Sequence, residues 1–182
     1  MIFTDREIRT GIEGGSIIID PRPQPSAYSS TSVDLTLDPI VSLFKEQNNN
    51  LVVAIDPGTS CFNPEHLLSQ LAEQHTIGSD GYTLKPHTLI LAWTVEYVDL
   101  RPSLRLAARV EGKSSLARIG LGIHVTAPTI HAGFDGRIRL EIVNHGKLPI
   151  VLRGGMKICQ LIFEQTLGTP EKGYAGRFSG QR

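Results

Sequence analysis

The feature of this sequence that most constrains its fold is an alternation of apolar residues, repeated in several short runs between residues 82 and 163. Apolar residues occupy every second position at 106–110 and at 138–142, with mostly charged residues between them. Successive side chains of a β-strand point to opposite faces, so each run predicts a half-buried strand. Segments with Gly or Pro, such as Arg153-Gly154-Gly155, connect the runs. The pattern predicts an all-β sandwich, jelly roll or barrel rather than a parallel sheet that alternates with helices.

The first 80 residues add shorter elements, including two helices. Thr4 and Glu7 have the spacing of a capping box, and Gly14-Gly15 predicts the end of that helix. Asn63 before Pro64 predicts a second N-terminus, followed by apolar residues at 67, 68, 71 and 72 on one helical face. Strands are predicted at 17–19, 32–37, 41–44 and 51–55, with a loop over 20–32 and a turn at 48–50.

Composition excludes several classes of function. Eighteen basic and eighteen acidic residues among 182 give a net charge of zero, whereas a general nucleic-acid-binding protein needs a basic surface. No apolar run has membrane-spanning length, and the N-terminal residues show no signal-peptide pattern. We therefore expect one cytoplasmic domain over residues 1–182. Cys61 and Cys159 are far apart and form no metal or disulfide pattern, so we expect them to be buried or inert.

A turn rich in hydroxyl and basic residues, Glu111-Gly-Lys-Ser-Ser-Leu-Ala-Arg118, follows one predicted strand. Gly112 allows a sharp turn, and backbone N–H groups, hydroxyls and the charges of Lys113 and Arg118 can hold an anion. The spacing is not that of a Walker A loop. A Ser-capped turn with solvated basic side chains remains the alternative.

A single carboxylate, Glu141, follows the two arginines of the predicted strand at 137–142. Alternation places Glu141 on the same face as Arg137 and Arg139. In a pocket, this carboxylate could move protons as a general acid or base. On an open surface it would be one charge among several, and the strand pattern alone does not distinguish the two.

The segment between the turn and Glu141 contains His124 and His131 within a stretch of small residues and Pro. Zinc-dependent nucleobase deaminases carry H-x-E and P-C-x-x-C motifs, and neither motif occurs in the sequence. H-E-x-x-H and G-x-S-x-G are absent as well. Packing or hydrogen bonding is therefore the expected role of these histidines, in preference to metal binding.

Taken together, these residues resemble the deoxycytidine triphosphate (dCTP) deaminase family, which is a branch of the trimeric dUTPase-like proteins. The similarity covers most of the chain and is weakest over about 41–80. The stretches that carry it are Ser32-Val-Asp-Leu-Thr-Leu, Glu111-Gly-Lys-Ser-Ser-Leu-Ala-Arg-Ile-Gly-Leu, His124-Val-Thr-Ala through Ala132-Gly-Phe-Asp-Gly, Leu140-Glu-Ile-Val-Asn to Gly146-Lys-Leu-Pro, and Gly155-Met-Lys-Ile-Cys-Gln-Leu-Ile-Phe.

This resemblance implies a distorted β jelly roll, a homotrimer with active sites between subunits, and hydrolysis of dCTP to dUTP and ammonia without zinc. It also implies Mg²⁺ bound with the triphosphate, dTTP as a candidate inhibitor, and a mobile C-terminal lid at about 168–182. The catalytic residues implied are Glu141, Ser114, Arg118 and the carbonyl of Ala127. The substrate-binding residues implied are Lys113, Ser114, Ser115, Leu116, Ala117, Arg118, His124, Val125, His131, Arg139, Leu140, Glu141, Gln160, Tyr174, Arg177 and Gln181.

Two positions separate branches of the family that the chain resembles. The position of Glu141 is typically apolar in simple dUTPases, so a glutamate favours deamination. An aspartate usually stands at the position of His131 in dUTPases and in bifunctional deaminases that release dUMP and diphosphate. The histidine thus weakens the case for diphosphate release. A bifunctional enzyme, a dUTPase and a nucleotide-binding trimer without turnover remain the alternatives.

Overall fold

The computed structural model describes residues 1–45, 54–101, 103 and 105–171 of the chain. No helix among these residues is long and apolar enough to cross a membrane. The helices are α1 (Asp5–Glu13), α2 (Pro64–Leu71) and α3 (Ser114–Ala117). The strands are β1 (Ile18–Asp20), β2 (Tyr28–Ser29), β3 (Ser32–Phe44), β4 (Ala72–Thr76), β5 (Tyr82–Leu84), β6 (Leu89–Asp99), β7 (Leu106–Gly112), β8 (Leu121–Gly122), β9 (Thr129–Ile130), β10 (Asp135–Asn144), β11 (Ile150–Leu152) and β12 (Lys157–Gln165).

The long strand β3 joins two halves of a curled antiparallel sheet whose main order is β8-β10-β6-β3-β12-β7-β9. The first half of β3 pairs with β12, as in Gln160↔Asp34. Its second half pairs with β6, as in Leu43↔Ile90. Short β1, β2 and β4 extend the sheet, and β5 pairs with β11 separately. Register shifts along these pairings bend the strands. The prediction of a mainly β, distorted jelly-roll fold is confirmed.

Alternating burial on β10 fixes which side chains face the core. Ile138, Leu140 and Ile142 are at most 3% exposed, whereas the residues between them are half-buried. Burying a side chain of this size contributes roughly 1.5–3 kcal/mol, so a one-residue shift in register would be strongly disfavoured. The predicted alternation therefore determines that Arg139 and Glu141 point away from the core.

Strand β6 shows the reverse of a simple apolar-inside pattern. Its buried face carries Thr94 and Glu96, while Trp93 lies on the half-buried face. Glu96 satisfies its charge by accepting hydrogen bonds from the backbone N and the Oγ1 of Thr36, both at 2.8 Å. Because both faces of β6 contain apolar residues, alternation alone could not identify the buried one.

Both predicted helices are confirmed, with the expected caps. At α1, Thr4 N donates to Glu7 Oε2 at 3.0 Å to complete the capping box, and Gly14 is the C-cap. At α2, Asn63 Oδ1 accepts from the backbone N of Glu65 at 3.1 Å and of His66 at 3.2 Å. These bonds satisfy backbone donors that a helix N-terminus otherwise leaves unpaired.

Several boundaries differ from the sequence prediction. The two strands predicted at 32–37 and 41–44 are one continuous β3, and the predicted loop at 20–32 contains β2 and a 3₁₀ turn at Pro25–Ala27. Strand β4 was not predicted, because its mostly exposed residues show no alternation. Residues 54 and 55 of the strand predicted at 51–55 are irregular. The rest of that strand, the turn at 48–50 and most of the expected lid, 172–182, lie outside the described residues.

Candidate active site

A cavity of about 330 Å³ opens between β10, α2 and the segment that leads through β9. It brings together six of the sequence-predicted site residues. The lining residues are Pro64, Glu65, Leu68, Leu91, Val110, His124, Ala127, Thr129, Ile130, His131, Phe134, Arg137, Ile138, Arg139, Leu140 and Glu141. The mixture of apolar walls with a few charged groups is typical of a small-molecule site.

Strand β10 positions Arg139 and Glu141 in this cavity. Arg139 is paired in register with Trp93, and Glu141 with Leu91, so all four lie on the face opposite the buried side chains of β10. Both charged side chains are half-buried and line the cavity. Fixed on a strand that pairs with β6, Glu141 is held in the place where a carboxylate could transfer protons to a bound ligand.

The two arginines of β10 that share this face are in different environments. Arg137 is engaged within the fold: its Nε donates to Thr94 O at 2.8 Å, and its guanidinium forms an ion pair with Asp38. The guanidinium carbon of Arg139 lies 4.8 Å from the ring centroid of Trp93, which is a cation–π contact. Burial lowers the pKa of Arg139, while the charges of Glu65 and Glu141 oppose that shift. Arg139 is therefore a partly desolvated cation in an acidic surrounding.

The cavity also contains buried polar atoms without a partner. Among the described residues, the buried side-chain nitrogen and oxygen atoms that lack a hydrogen-bond partner are His124 Nδ1 and Arg139 Nε. Both belong to side chains that line the cavity. Such atoms are rare in folded proteins, and each one costs about 1–3 kcal/mol. Their concentration at one cavity indicates a site prepared for a polar ligand.

The second wall is built by the segment that contains Ala127 and β9. Ala108 of β7 pairs with Ile130, and Val110 N donates to Pro128 O at 2.8 Å, so this segment is attached to the edge of the sheet. His124 Nε2 lies 3.9 Å from Glu111 Oε2. Val125 is 58% exposed and does not line the cavity.

The predicted anion-binding turn lies outside this cavity in the single chain. Its residues form α3, in which Leu116 N and Ala117 N donate to Lys113 O, each at 2.9 Å. The side chains of Ser114, Ser115 and Arg118 are exposed. No hydrogen bond or ion pair engages them among the described residues. Leu116 is half-buried against the core, and Ala117 is exposed.

Lys113, in contrast, is held by the fold. Its Nζ forms an ion pair with Asp34, whose other carboxylate oxygen lies 3.3 Å from Lys157 Nζ. Asp34 is only 6% exposed. The ammonium group of Lys113 thus neutralises the buried carboxylate of Asp34. A bound anion would have to share this positive charge with Asp34.

Gln160, another predicted contact, fixes the base of the turn. Its Oε1 accepts from Ser32 Oγ at 2.8 Å, and its Nε2 donates to Gly112 O at 3.0 Å. The amide thereby connects β3, β12 and the end of β7 directly before the turn. The predicted tail contacts Tyr174, Arg177 and Gln181 lie outside the described residues.

Sequence reasoning missed the helical wall of the cavity. Pro64, Glu65 and Leu68 of α2 line it, and so does Phe134. The cap at Asn63 correctly predicted the helix, but a helical pattern does not show which other element it faces. The acidic Glu65 in the first turn was the available signal, although an acidic residue there equally serves the helix dipole.

Comparison with known proteins connects this site to one family. The family model described as dCTP deaminase-like matches residues 2–166. A protein of Methanobrevibacter smithii named "dCTP deaminase, dUMP-forming" is 37% identical over 170 residues, which are 93% of this chain and 82% of that protein. A "dCTP deaminase" of Shewanella sp. strain ANA-3 is 37% identical over 178 residues, 97% of this chain and 90% of that protein.

Among solved structures, the 2'-deoxycytidine 5'-triphosphate deaminase of Agrobacterium tumefaciens aligns with a TM-score of 0.68 at 22% identity. The alignment covers 89% of this chain and 47% of that chain, so this chain corresponds to about half of the longer protein. At this identity the likeness concerns the fold. The family model and the relatives cover nearly the whole chain, and the chain therefore belongs to the dCTP deaminase-like family.

Proposed function

We propose that this protein catalyses the hydrolytic deamination of dCTP to dUTP and ammonia. The observation that carries the proposal is the position of Glu141, a half-buried carboxylate on β10 within the cavity of a dCTP deaminase-like chain. The relative from Shewanella sp. strain ANA-3 is named "dCTP deaminase", and the relative from Methanobrevibacter smithii is named "dCTP deaminase, dUMP-forming". A carboxylate that serves only as surface charge would not need this half-buried position beside apolar walls.

Glu141 supplies the proton transfers of the reaction. It accepts a proton from water as the oxygen attacks C4 of cytosine, and it delivers that proton to N3. In the resulting tetrahedral intermediate, the proton of the new hydroxyl passes through the same carboxylate to the amino group. The C4–N bond then breaks, ammonia leaves, and the C4 carbonyl of uracil forms. One water is consumed, and all four exchangeable hydrogens are accounted for in N3–H and ammonia.

The groups that hold the attacking water are the carbonyl of Ala127, the hydroxyl of Ser114 and the guanidinium of Arg118. Fixed donors and acceptors of this kind stabilise the developing charge without reorganising. Ala127 shares the cavity with Glu141, whereas Ser114 and Arg118 are exposed elsewhere on the chain. We therefore assign Ser114 and Arg118 of one subunit to the cavity of a neighbouring subunit in a homotrimer.

The triphosphate of the substrate binds at the same exposed turn. Ser114, Ser115 and Arg118 offer hydroxyls and a positive charge to phosphate oxygens. Among the described residues, no three His, Cys, Asp or Glu side chains lie together as a metal site. In the proposal, the phosphate oxygens themselves carry the Mg²⁺ ion. The ion would neutralise part of their charge and hold the triphosphate in one geometry.

The proposal also includes a cytoplasmic location and inhibition by dTTP.

A second candidate is a bifunctional enzyme that carries dCTP through to dUMP and diphosphate. The "dCTP deaminase, dUMP-forming" of Aquifex aeolicus is 36% identical over 182 residues, which resembles the identity of the relatives named only dCTP deaminase. The opposing observation is His131, which stands in the cavity where the resemblance leads us to expect an aspartate.

Incubation of the protein with dCTP and Mg²⁺, followed by separation of the nucleotides over time, tests both candidates. Deamination gives ammonia and dUTP in equal amounts. The bifunctional reaction gives dUMP and diphosphate, with little dUTP at any time. Absence of ammonia would contradict the proposed function in both forms.

A further inference from the structure

Arg139 is a cation of the cavity that the proposed chemistry does not use. The proposed mechanism uses the charges of Glu141 and Arg118. Arg137 forms an ion pair with Asp38 and a hydrogen bond to Thr94 within the fold. Among the described residues, Arg139 forms no hydrogen bond and no ion pair within 4.0 Å. Its Nε is buried without a partner. A buried donor of this kind is normally satisfied by protein, water or ligand.

The position of the Arg139 guanidinium is nonetheless fixed. Trp93 lies beneath it, with 4.8 Å between the guanidinium carbon and the ring centroid. A guanidinium held over an aromatic face by a cation–π contact keeps its N–H donors available to an acceptor on its other sides. Glu65 lines the cavity on α2 and provides a negative charge that favours a cation at this place. A fixed, stacked cation presents directional donors rather than a diffuse charge.

Arg139 and Glu141 are neighbours along the cavity face of β10, so their side chains can approach the two ends of the pairing edge of cytosine together. The two residues are two positions apart on one face of β10, which separates their Cβ atoms by about 7 Å along the strand. In cytosine, the amino group at C4 and the carbonyl oxygen at C2 lie on opposite sides of N3. With Glu141 working at N3 and C4, a donor farther along the same strand would face the C2 carbonyl.

We infer that Arg139 is a specificity-determining residue that donates hydrogen bonds to the C2 carbonyl oxygen of the pyrimidine, with Trp93 holding its guanidinium in place. This inference rests on the proposed function, because it places cytosine in the Glu141 cavity. It predicts selection for a base with a strong acceptor at C2. The selection would operate in binding as well as in turnover.

The test compares dCTP with 2-thio-dCTP, in which sulfur, a much weaker acceptor, replaces the C2 oxygen. Ammonia release from dCTP by the wild-type protein is measured first. Calorimetry in the presence of Mg²⁺ then gives the affinity of both nucleotides for the Glu141→Gln protein, alone and combined with Arg139→Gln or Arg139→Lys. The matched control combines Glu141→Gln with Arg9→Gln, since Arg9 also stacks on an aromatic ring, 3.8 Å from the centroid of Tyr28, but does not line the cavity.

We expect the Glu141→Gln protein to bind dCTP about tenfold more tightly than 2-thio-dCTP, as one charge-assisted hydrogen bond would give. Adding Arg139→Gln should weaken dCTP binding about tenfold while changing 2-thio-dCTP binding little, so that the preference disappears. Arg139→Lys should retain part of the preference, and Arg9→Gln should retain all of it. If the role of Arg139 were purely structural, Arg139→Gln would weaken the binding of both nucleotides equally.

The inference is overturned if adding Arg139→Gln leaves the preference for dCTP over 2-thio-dCTP unchanged. It is also overturned if the Glu141→Gln protein, with Arg139 intact, shows no such preference. Its failure is distinguishable from failure of the proposed function. If the wild-type protein releases ammonia from dCTP but Arg139→Gln does not alter the preference, only the role of Arg139 is wrong. If no ammonia is released, the proposed function itself is wrong and the assignment of Arg139 falls with it.

Discussion

Lys113, the residue before α3, forms an ion pair with Asp34 of β3, a carboxylate that is 6% exposed. Asp34 is also 3.3 Å from Lys157 of β12, so one buried carboxylate connects the exposed turn to two strands of the sheet. Gln160 of β12 reinforces the same connection through Ser32 and Gly112. The exposed hydroxyls of Ser114 and Ser115 thus follow directly after a residue that the fold holds in place, as the proposed sharing of each site between subunits requires.

Replacing Asp34 should therefore destabilise the fold and the turn together. Asp34→Ala leaves two lysines without their partner, and breaking a buried ion pair costs several kcal/mol. Because Lys157 is 40% exposed and can regain water, we expect a loss of about 2 kcal/mol in the free energy of unfolding. Urea unfolding measures this loss. Asp38→Ala, which removes the partner of Arg137, is the matched comparison on the same strand. If Asp34→Ala were as stable as the wild-type protein, the ion pairs of Asp34 would contribute nothing to stability.

The proposed sharing of each site between two subunits makes a prediction about mixtures of inactive variants. Ser114→Ala and Glu141→Gln should each abolish most activity alone. In randomly mixed trimers with sites between subunits, about a quarter of the sites would combine an intact Ser114 with an intact Glu141. Co-expression of the two variants should therefore restore about a quarter of wild-type activity per site. If both residues of each site came from one chain, every site in the mixture would carry a lesion and no activity would return.

Replacement of His131 tests which of the two reactions the cavity supports. His131 lines the cavity that contains Glu141, and an aspartate at this position would introduce a carboxylate able to activate water. We expect His131→Asp to increase the fraction of product found as dUMP, while the wild-type protein accumulates dUTP. His131→Asn is the uncharged control. The assignment would be wrong if the wild-type protein already released dUMP without accumulating dUTP.

Asp99 gives the stability of the fold a defined dependence on pH. Hydrogen bonds from Arg101, including Nη2 to Oδ2 at 2.7 Å, lower the pKa of this buried carboxyl despite its desolvation. A carboxyl whose pKa is lower in the folded state contributes stability above its unfolded pKa of about 3.9. That contribution is lost as pH falls through the lower folded pKa.

We accordingly expect the urea midpoint of the wild-type protein to fall as pH decreases below about 4. Arg101→Gln should lower the midpoint at pH 7 and make its decline in acid shallower, because the folded and unfolded pKa values of Asp99 would lie closer together. The control is Arg22→Gln, which removes an exposed pair with Glu13 at 3.4 Å. Parallel curves for the wild-type and Arg101→Gln proteins would contradict the assignment.

The sequence predicts those parts of the structure that depend on residues close together in the chain. Caps at Thr4 and Asn63 and the alternation on β10 depend on neighbouring residues, and all were predicted. The continuation of β3 through Pro39 and the polar strand β4 depend on partners far along the chain, and neither was predicted. Long-range pairing of this kind leaves no periodic pattern in the strand itself.

The same distinction applies to the candidate site. Alternation placed Glu141 and Arg139 on one face, and the structure brings both into a cavity with Ala127 and His131. Nothing in the sequence indicated that Glu65 of α2 would form the other wall, or that Trp93 would lie under Arg139. The family resemblance supplied the roles of Ser114 and Arg118, which remain predictions because these residues lie apart from the cavity in one chain.

The role of Glu141 is tested most directly by ammonia release from dCTP and Mg²⁺ by the wild-type protein and by Glu141→Gln. Glu73→Gln, an exposed glutamate on β4, is the control. Removing the group that we propose moves every proton should reduce kcat by about 10²–10⁴-fold while triphosphate binding, measured by calorimetry, stays within a few fold. Wild-type and Glu73→Gln rates should agree. Wild-type turnover by Glu141→Gln, or no ammonia from the wild-type protein, would contradict the central claim.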